Sequence, residues 1–301
     1  APGLRLLQGT LIMWVRTSQG GFQELKLPPG AKLEGLVING RNETARHGGQ
    51  LLMLPLESGS NELKVEFSLP QARGWRQQVP PIEFAGKATN ARVIIQVPPQ
   101  RWILWADQKG WGPAVLFWSK LTVVLLLAAV LGFIKLGGLG AVTWVLLGLG
   151  TVMLPVAAVA VPVLWFAAMQ YRRESPFEGR TSFNLCQLCL GVLTLVFVLV
   201  LFAAARKGLV LYPEMQVSGG GSSNQALQWY HDFVEKALPQ PWIISAPIWI
   251  WRVLMLGWAF WAAISLLKWL RWGFSCFIEG GIWKGNSQGD AVVKAQGRSD
   301  D

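Results

Sequence analysis

Residues 183–205 read FNLCQLCLGVLTLVFVLVLFAAA, with no charged side chain at any position. A helix rises 1.5 Å per residue, so this stretch would be about 35 Å long, against roughly 30 Å for the hydrocarbon core of a bilayer. A run this long and apolar predicts a transmembrane helix over Phe183–Ala205, because in lipid every backbone polar group must be satisfied within the segment. Arg206 and Lys207 follow directly, cations of the kind that anchor a helix end among headgroups.

Three further apolar runs surround this one. Upstream, Ala114–Ile134 is interrupted by Lys120, and the 14 uncharged residues between Lys120 and Lys135 make only about 21 Å of helix. Lys120 is therefore expected inside the span, snorkelling outward along its four-carbon stem. A turn at Lys135–Gly140 leads into Ala141–Gln170, about 45 Å long if helical and too long for one perpendicular crossing. Pro155 and Pro162 each remove a backbone donor. The run is thus either a tilted, kinked span or a re-entrant hairpin. Downstream, Trp242–Leu270 predicts the last span, with Arg252 inside it. The expectation is an α-helical transmembrane bundle of about four spans (114–134, 141–170, 183–205 and 242–270) in a domain covering 113–272.

Between the last two spans, Ser222-Ser-Asn-Gln225 reads as a capping box. Ala226, Tyr230, Phe233, Val234, Ala237 and Leu238 follow at helical spacing, which predicts an amphipathic helix over about 224–238, on the bilayer surface or packed on the bundle. The polar tail, 285–301, is expected to be disordered. The chain opens Ala1-Pro2-Gly3 with no signal peptide, as expected of a processed chain or the C-terminal part of a longer one.

Charge divides the chain sharply. Residues 1–112 carry 13 Lys/Arg and 8 Asp/Glu, whereas 113–170 carry only Lys120 and Lys135. The net charge of +10 forms no cluster and accompanies no recognition motif, which argues against nucleic acid as a partner. Basic residues flanking spans account for it, and the 17 Trp residues fit membrane interfaces, with Trp111, Trp118, Trp165, Trp242, Trp249 and Trp272 near the expected span ends.

Residues 1–110 alternate apolar runs with turn signals, the pattern of an all-β domain. Expected strands are Leu11–Arg16, Phe22–Leu27, Leu33–Ile38, Leu51–Leu54, Glu62–Phe67 and Arg92–Val97. Asn39-Gly40 is a tight-turn signal, since both residues tolerate positive φ. The stretch PPGAKLEGLVINGR…LLMLPLESGSNELKVEF, ending at Phe67, resembles β-sandwich modules of secreted and envelope proteins. The resemblance implies an N-terminal sandwich-like domain and no ligand.

The segments Trp111–Phe133, Phe183–Leu211 and Ala237–Phe274 resemble the C-terminal region of large uncharacterised bacterial inner-membrane (envelope) proteins with an extracytoplasmic β-rich part. This implies residence in the inner membrane, with the β-domain outside the cytoplasm. It implies no activity and no site residues.

Few residues could carry chemistry. Cys186 and Cys189 share one helical face, but a structural metal site would need two more ligands, and His47 and His231 have no metal-ligand spacing to them. No metal site, cofactor or catalytic residue is expected. Intramembrane cations are functional candidates by default, which singles out Arg252 and Lys120. No Asp or Glu falls in an expected span, and no P-loop or HExxH occurs. The expectation is a non-enzymatic, membrane-anchored envelope protein whose β-domain binds or organises protein partners. The alternative is a transporter or channel subunit that uses the Pro-broken second span and Arg252.

Overall fold

The computed structural model describes residues 6–44, 46–48, 50–70, 74–174, 179–279 and 281–283. It divides into two units: Ala1–Leu116 with Met215–Pro247, and Phe117–Glu214 with Ile248–Asp301. The expected disordered tail lies outside the described residues.

The first unit is built of antiparallel strands: β1 (Leu6–Thr17), β2 (Gly21–Lys26), β3 (Lys32–Ile38), β4 (Arg41–Asn42), β5 (Arg46–Gly48), β6 (Leu51–Leu56), β7 (Gly59–Pro70), β8 (Arg76–Gln78), β9 (Glu83–Gln96), β10 (Arg101–Ala106), β11 (Ala114–Val115), β12 (Val217–Ser218), β13 (Ala226–Ala237) and β14 (Trp242–Pro247). The six strands expected from the sequence fall on β1, β2, β3, β6, β7 and β9. Asn39 and Gly40 take φ of 52° and 78°, so the Asn-Gly pair turns β3 into β4 as its chemistry requires.

A four-stranded sheet, β1-β7-β3-β4, and a five-stranded sheet, β13-β9-β2-β6-β5, share one apolar core. Leu36, Leu63, Val65 and Phe67 line it from the first sheet, and Leu25, Leu52, Leu54 and Phe84 from the second. Each strand contributes alternate residues, because successive side chains leave opposite faces of a strand. A smaller core holds Ile103, Leu227, Trp229 and Ile243, gathered by β13 and the sheet β10-β14-β8.

The amphipathic helix expected over about 224–238 is instead strand β13, paired with β9 from Ala226↔Gln96 to Ala237↔Glu83. Leu227 and Trp229, which the helical spacing left off its apolar face, are the fully buried residues. Trp, Tyr, Phe and Val favour a pleated, half-buried surface, and a waiting strand edge decides between the two periods. The Ser222–Gln225 capping box is a turn: Ser223 Oγ accepts the Ala226 N–H (3.2 Å) and Ser222 Oγ accepts the Gln228 N–H (2.9 Å). Trp242–Pro247, expected in the last span, is strand β14, paired with β10 and β8.

The second unit contains α1 (Phe117–Phe133), a 3-10 turn (Leu136–Gly138), α2 (Ala141–Thr151), α3 (Val156–Glu174), α4 (Arg180–Leu209) and α5 (Ile248–Ile278). Two helical stretches, Thr181–Leu209 and Ile248–Ile278, are long and apolar enough to cross a membrane, so the four-span bundle is not supported. The 141–170 run is two helices, not one. Pro155 has no N–H to continue α2, whose end is closed by bonds from Val152 N–H to the Gly148 carbonyl (2.9 Å) and from Leu154 N–H to that of Thr151 (2.9 Å). The chain then reverses. Gly137 N–H, ahead of α2, donates to Gln170 Oε1 near the end of α3 (2.9 Å).

The helices pack around aromatic rings. Trp165, expected near a span end, is fully buried in α3 and stacked on Phe197 at 4.5 Å between centroids. Trp144 and Trp269 meet Phe166 edge-on. Gly150 of α2 lies against the indole of Trp258, which donates to the Leu146 carbonyl (2.7 Å), leaving no room for a Cβ there. Large apolar side chains cover the outer surface: Leu126, Leu127 and Phe133 on α1, Leu195 and Phe202 on α4, Phe260 and Ile264 on α5.

Candidate functional site

Three polar features of the helical unit stand out among the described residues. Lys120 sits one turn into α1, and its ammonium donates to the Leu154 carbonyl at 2.7 Å. Leu154 occupies the break between α2 and α3, where Pro155 ends the backbone ladder. An unpaired carbonyl in apolar surroundings is costly, and the flexible Lys stem lets the ammonium reach it from a neighbouring helix. The cation and the broken helix are thus one structural feature. Thr151 Oγ1 adds a second closure by donating to the Leu147 carbonyl at 2.8 Å.

Arg252 lies in the first turn and a half of α5 and is exposed. Only four residues separate it from β14, so its side chain needs little reach to leave the apolar stretch. Among the described residues, no hydrogen bond or ion pair brings Arg252 and Lys120 together.

The third feature was not anticipated. Arg172, 5% exposed, donates to the Glu279 carbonyl (2.7 Å) and lies over the Phe183 ring at 4.6 Å. Gln187, 3% exposed, donates to the Phe277 carbonyl at 2.9 Å. These side chains satisfy carbonyls at the C-terminal end of α5, which no further turn of helix would bond. Neither Arg172 nor Gln187 stood among the candidates read from the sequence, which were Arg252 and Lys120. The legible signal was a Gln inside an otherwise apolar run, since a polar side chain there needs a partner.

Cys186 is half-buried, Cys189 exposed and Cys276 buried, all as free thiols. Among the described residues, no group of three His, Cys, Asp or Glu side chains could hold a metal ion.

In the β-rich unit the distinctive surface is β1. Its 12 residues pair with β7 on one side, and no described strand pairs with the other. Leu7, Leu11, Met13 and Val15 pack toward the core, while Gln8, Thr10, Ile12, Trp14 and Arg16 face solvent, Trp14 with 76% of its surface exposed. An open edge carries a row of free N–H and C=O groups, a template for another strand.

No protein family, curated protein or solved structure matches this chain.

Proposed function

We propose that this chain is a non-enzymatic, membrane-anchored envelope protein whose β-rich unit binds an extended segment of a partner protein by strand addition at β1. The observation that carries this reading is the open 12-residue edge of β1, with Ile12 and Trp14 presented beside it. Backbone bonds along such an edge supply affinity, and alternate side chains supply selectivity. A photocrosslinking residue in place of Thr10 in intact cells tests it. The expected result is an adduct of one discrete mass, lost in the Ile12→Lys, Trp14→Lys double variant while the β-rich unit stays folded. Lysine on an edge discourages pairing, so an adduct undiminished by the double variant would sink the idea.

Chain connectivity supports the membrane arrangement. Leu116 N–H donates to the Gln216 carbonyl (3.3 Å), so the stretch 117–214 leaves and rejoins one folded unit. A folded unit lies on one side of a bilayer, and 117–214 must therefore cross an even number of times. In this reading α4 and α5 cross, the shorter α1 (17 residues, about 26 Å) makes the further crossing that an even number requires, and α2 and α3 form a re-entrant hairpin. Lys135, Arg172, Arg173, Arg180, Lys268 and Arg271 then lie at the end of the helices reached after one crossing, against Lys120, Arg206, Lys207 and Arg252 at the end where the chain enters and leaves them. The cation bias favours a cytoplasmic place for the first of these ends and a β-rich unit outside, in the inner membrane of a bacterium.

The transporter or channel alternative rests on the same break in the 141–170 run. Broken helices serve transport when they line a polar cavity at membrane depth. Here Lys120 is committed to the Leu154 carbonyl, and aromatic rings fill the space between helices, which favours an anchor.

A further inference from the structure

A cleft of about 540 Å³ opens on the surface of the helical unit between α4 and α5. Its floor is Trp165 and Met169 of α3, and its walls include Gly191 of α4 and Leu267 and Phe274 of α5. The volume lies within the range of small-molecule sites, and the lining is almost wholly apolar. Two glycines shape it. A Cβ on Gly273 would stand 2.7 Å from the Trp165 ring, so the indole lies directly on the α5 backbone. A Cβ on Gly191 would meet nothing within 4 Å, so α4 leaves that wall open. The Thr194 hydroxyl is already occupied, accepting from Trp165 Nε1 (2.9 Å) and donating to the Leu190 carbonyl (2.7 Å).

Arg271 is the one charged side chain in the lining, and no ion pair holds it among the described residues. It stands 23 residues beyond Ile248, about 35 Å along the helix, and in the membrane reading above its long side chain reaches the headgroups beyond a hydrocarbon layer of roughly 30 Å. An apolar slot with an uncompensated guanidinium at headgroup level matches an acyl chain joined to a phosphate. Basic pockets between helices on the cytoplasmic side are where anionic headgroups bind, and guanidinium grips phosphate in bidentate fashion.

We propose that this cleft is a lipid site that takes one acyl chain of an anionic phospholipid, with the phosphate on Arg271. The inference rests on the membrane reading above, and carbonate extraction of the full-length chain tests that reading separately. The site itself is tested on the full chain purified in mild detergent, with phosphatidylglycerol and phosphatidylcholine added in equal amounts and bound lipid counted by native mass spectrometry. The wild type should retain one phosphatidylglycerol in preference to phosphatidylcholine. Gly191→Phe, which fills the slot, should lose both lipids. Arg271→Gln should lose the preference by roughly tenfold, the worth of a charge-assisted hydrogen bond. Lys268→Gln, which removes an equal charge outside the lining, should behave as wild type. Equal retention of the two lipids by the wild type, undiminished retention by Gly191→Phe, or an equal loss in Lys268→Gln and Arg271→Gln would each overturn the proposal. If Gly191→Phe does not fold, the comparison of Arg271→Gln with Lys268→Gln decides alone.

Discussion

Lys120 and Arg252 are both cations within apolar helices, and they do different physical work. Lys120 completes the bonding of the Leu154 carbonyl, whereas Arg252 is exposed at the start of α5. Lys120→Leu should therefore lower the stability of the detergent-solubilised protein by about 1–3 kcal/mol, the cost of leaving a buried acceptor unpaired. Arg252→Ala should stay within about 0.5 kcal/mol of wild type, as surface substitutions do. Thermal unfolding of the two variants side by side checks the ranking, and the reverse order would remove Lys120 from its role. The sequence marked both residues as unusual. Only the placement of Leu154 distinguished them, because the partner of Lys120 is a backbone carbonyl, a group that every residue carries.

At the scale of elements, β13 is the most instructive. Its residues fit a period of 3.6 through Ala226, Tyr230, Phe233 and Ala237, and a period of 2 through Leu227 and Trp229. The two periods make opposite predictions. In the strand, Trp229 is fully buried and its indole N–H donates to the Asp107 carbonyl (2.8 Å), whereas Phe233 is 54% exposed. Trp229→Ala should cost about 3–5 kcal/mol of stability, as large aromatic truncations in cores do. Phe233→Ala should cost less than about 1 kcal/mol, an amount typical of a partly exposed site. Denaturant unfolding of both variants separates the readings, since a surface helix would put the larger loss at Phe233. The strands β1, β2, β3, β6, β7 and β9 were legible because each sits between turn signals with a clean alternation. The hairpin of α2 and α3 was half legible: Pro155 announced a break, but a proline alone does not say whether the chain bends or reverses.

For the whole molecule, the decisive feature is that helices 117–214 are inserted into the β-rich unit. A fragment of residues 1–105 lacks β13 and β14, the partners of β9 and β10, and should aggregate when expressed alone. A chain joining residues 6–116 to 215–247 through a short Gly-Ser linker should instead be soluble and give a strand-rich circular dichroism spectrum. Leu116 and Gln216 are already hydrogen-bonded neighbours, so closing the gap adds little loop entropy. A soluble, folded 1–105 fragment would contradict the inserted arrangement. Orientation is open to single cysteines in a Cys-free background, probed on spheroplasts with a membrane-impermeant thiol reagent. Ser223→Cys in the β12–β13 turn should label and Ser182→Cys at the start of α4 should not; the opposite pattern would invert the protein. The sequence by itself determined that the chain has a β-rich part and apolar helices, that 183–205 is one continuous helix, and that Pro155 interrupts another. Those properties are local, written in charge, period and turn chemistry over a few to two dozen residues. Only the tertiary structure decided that 215–247 returns to the β-rich unit, that 141–170 doubles back, and that a Lys in one helix closes the break between two others. Each of these depends on a partner distant in the chain, and a strand edge or an orphaned carbonyl leaves no mark in the sequence of the segment that comes to meet it.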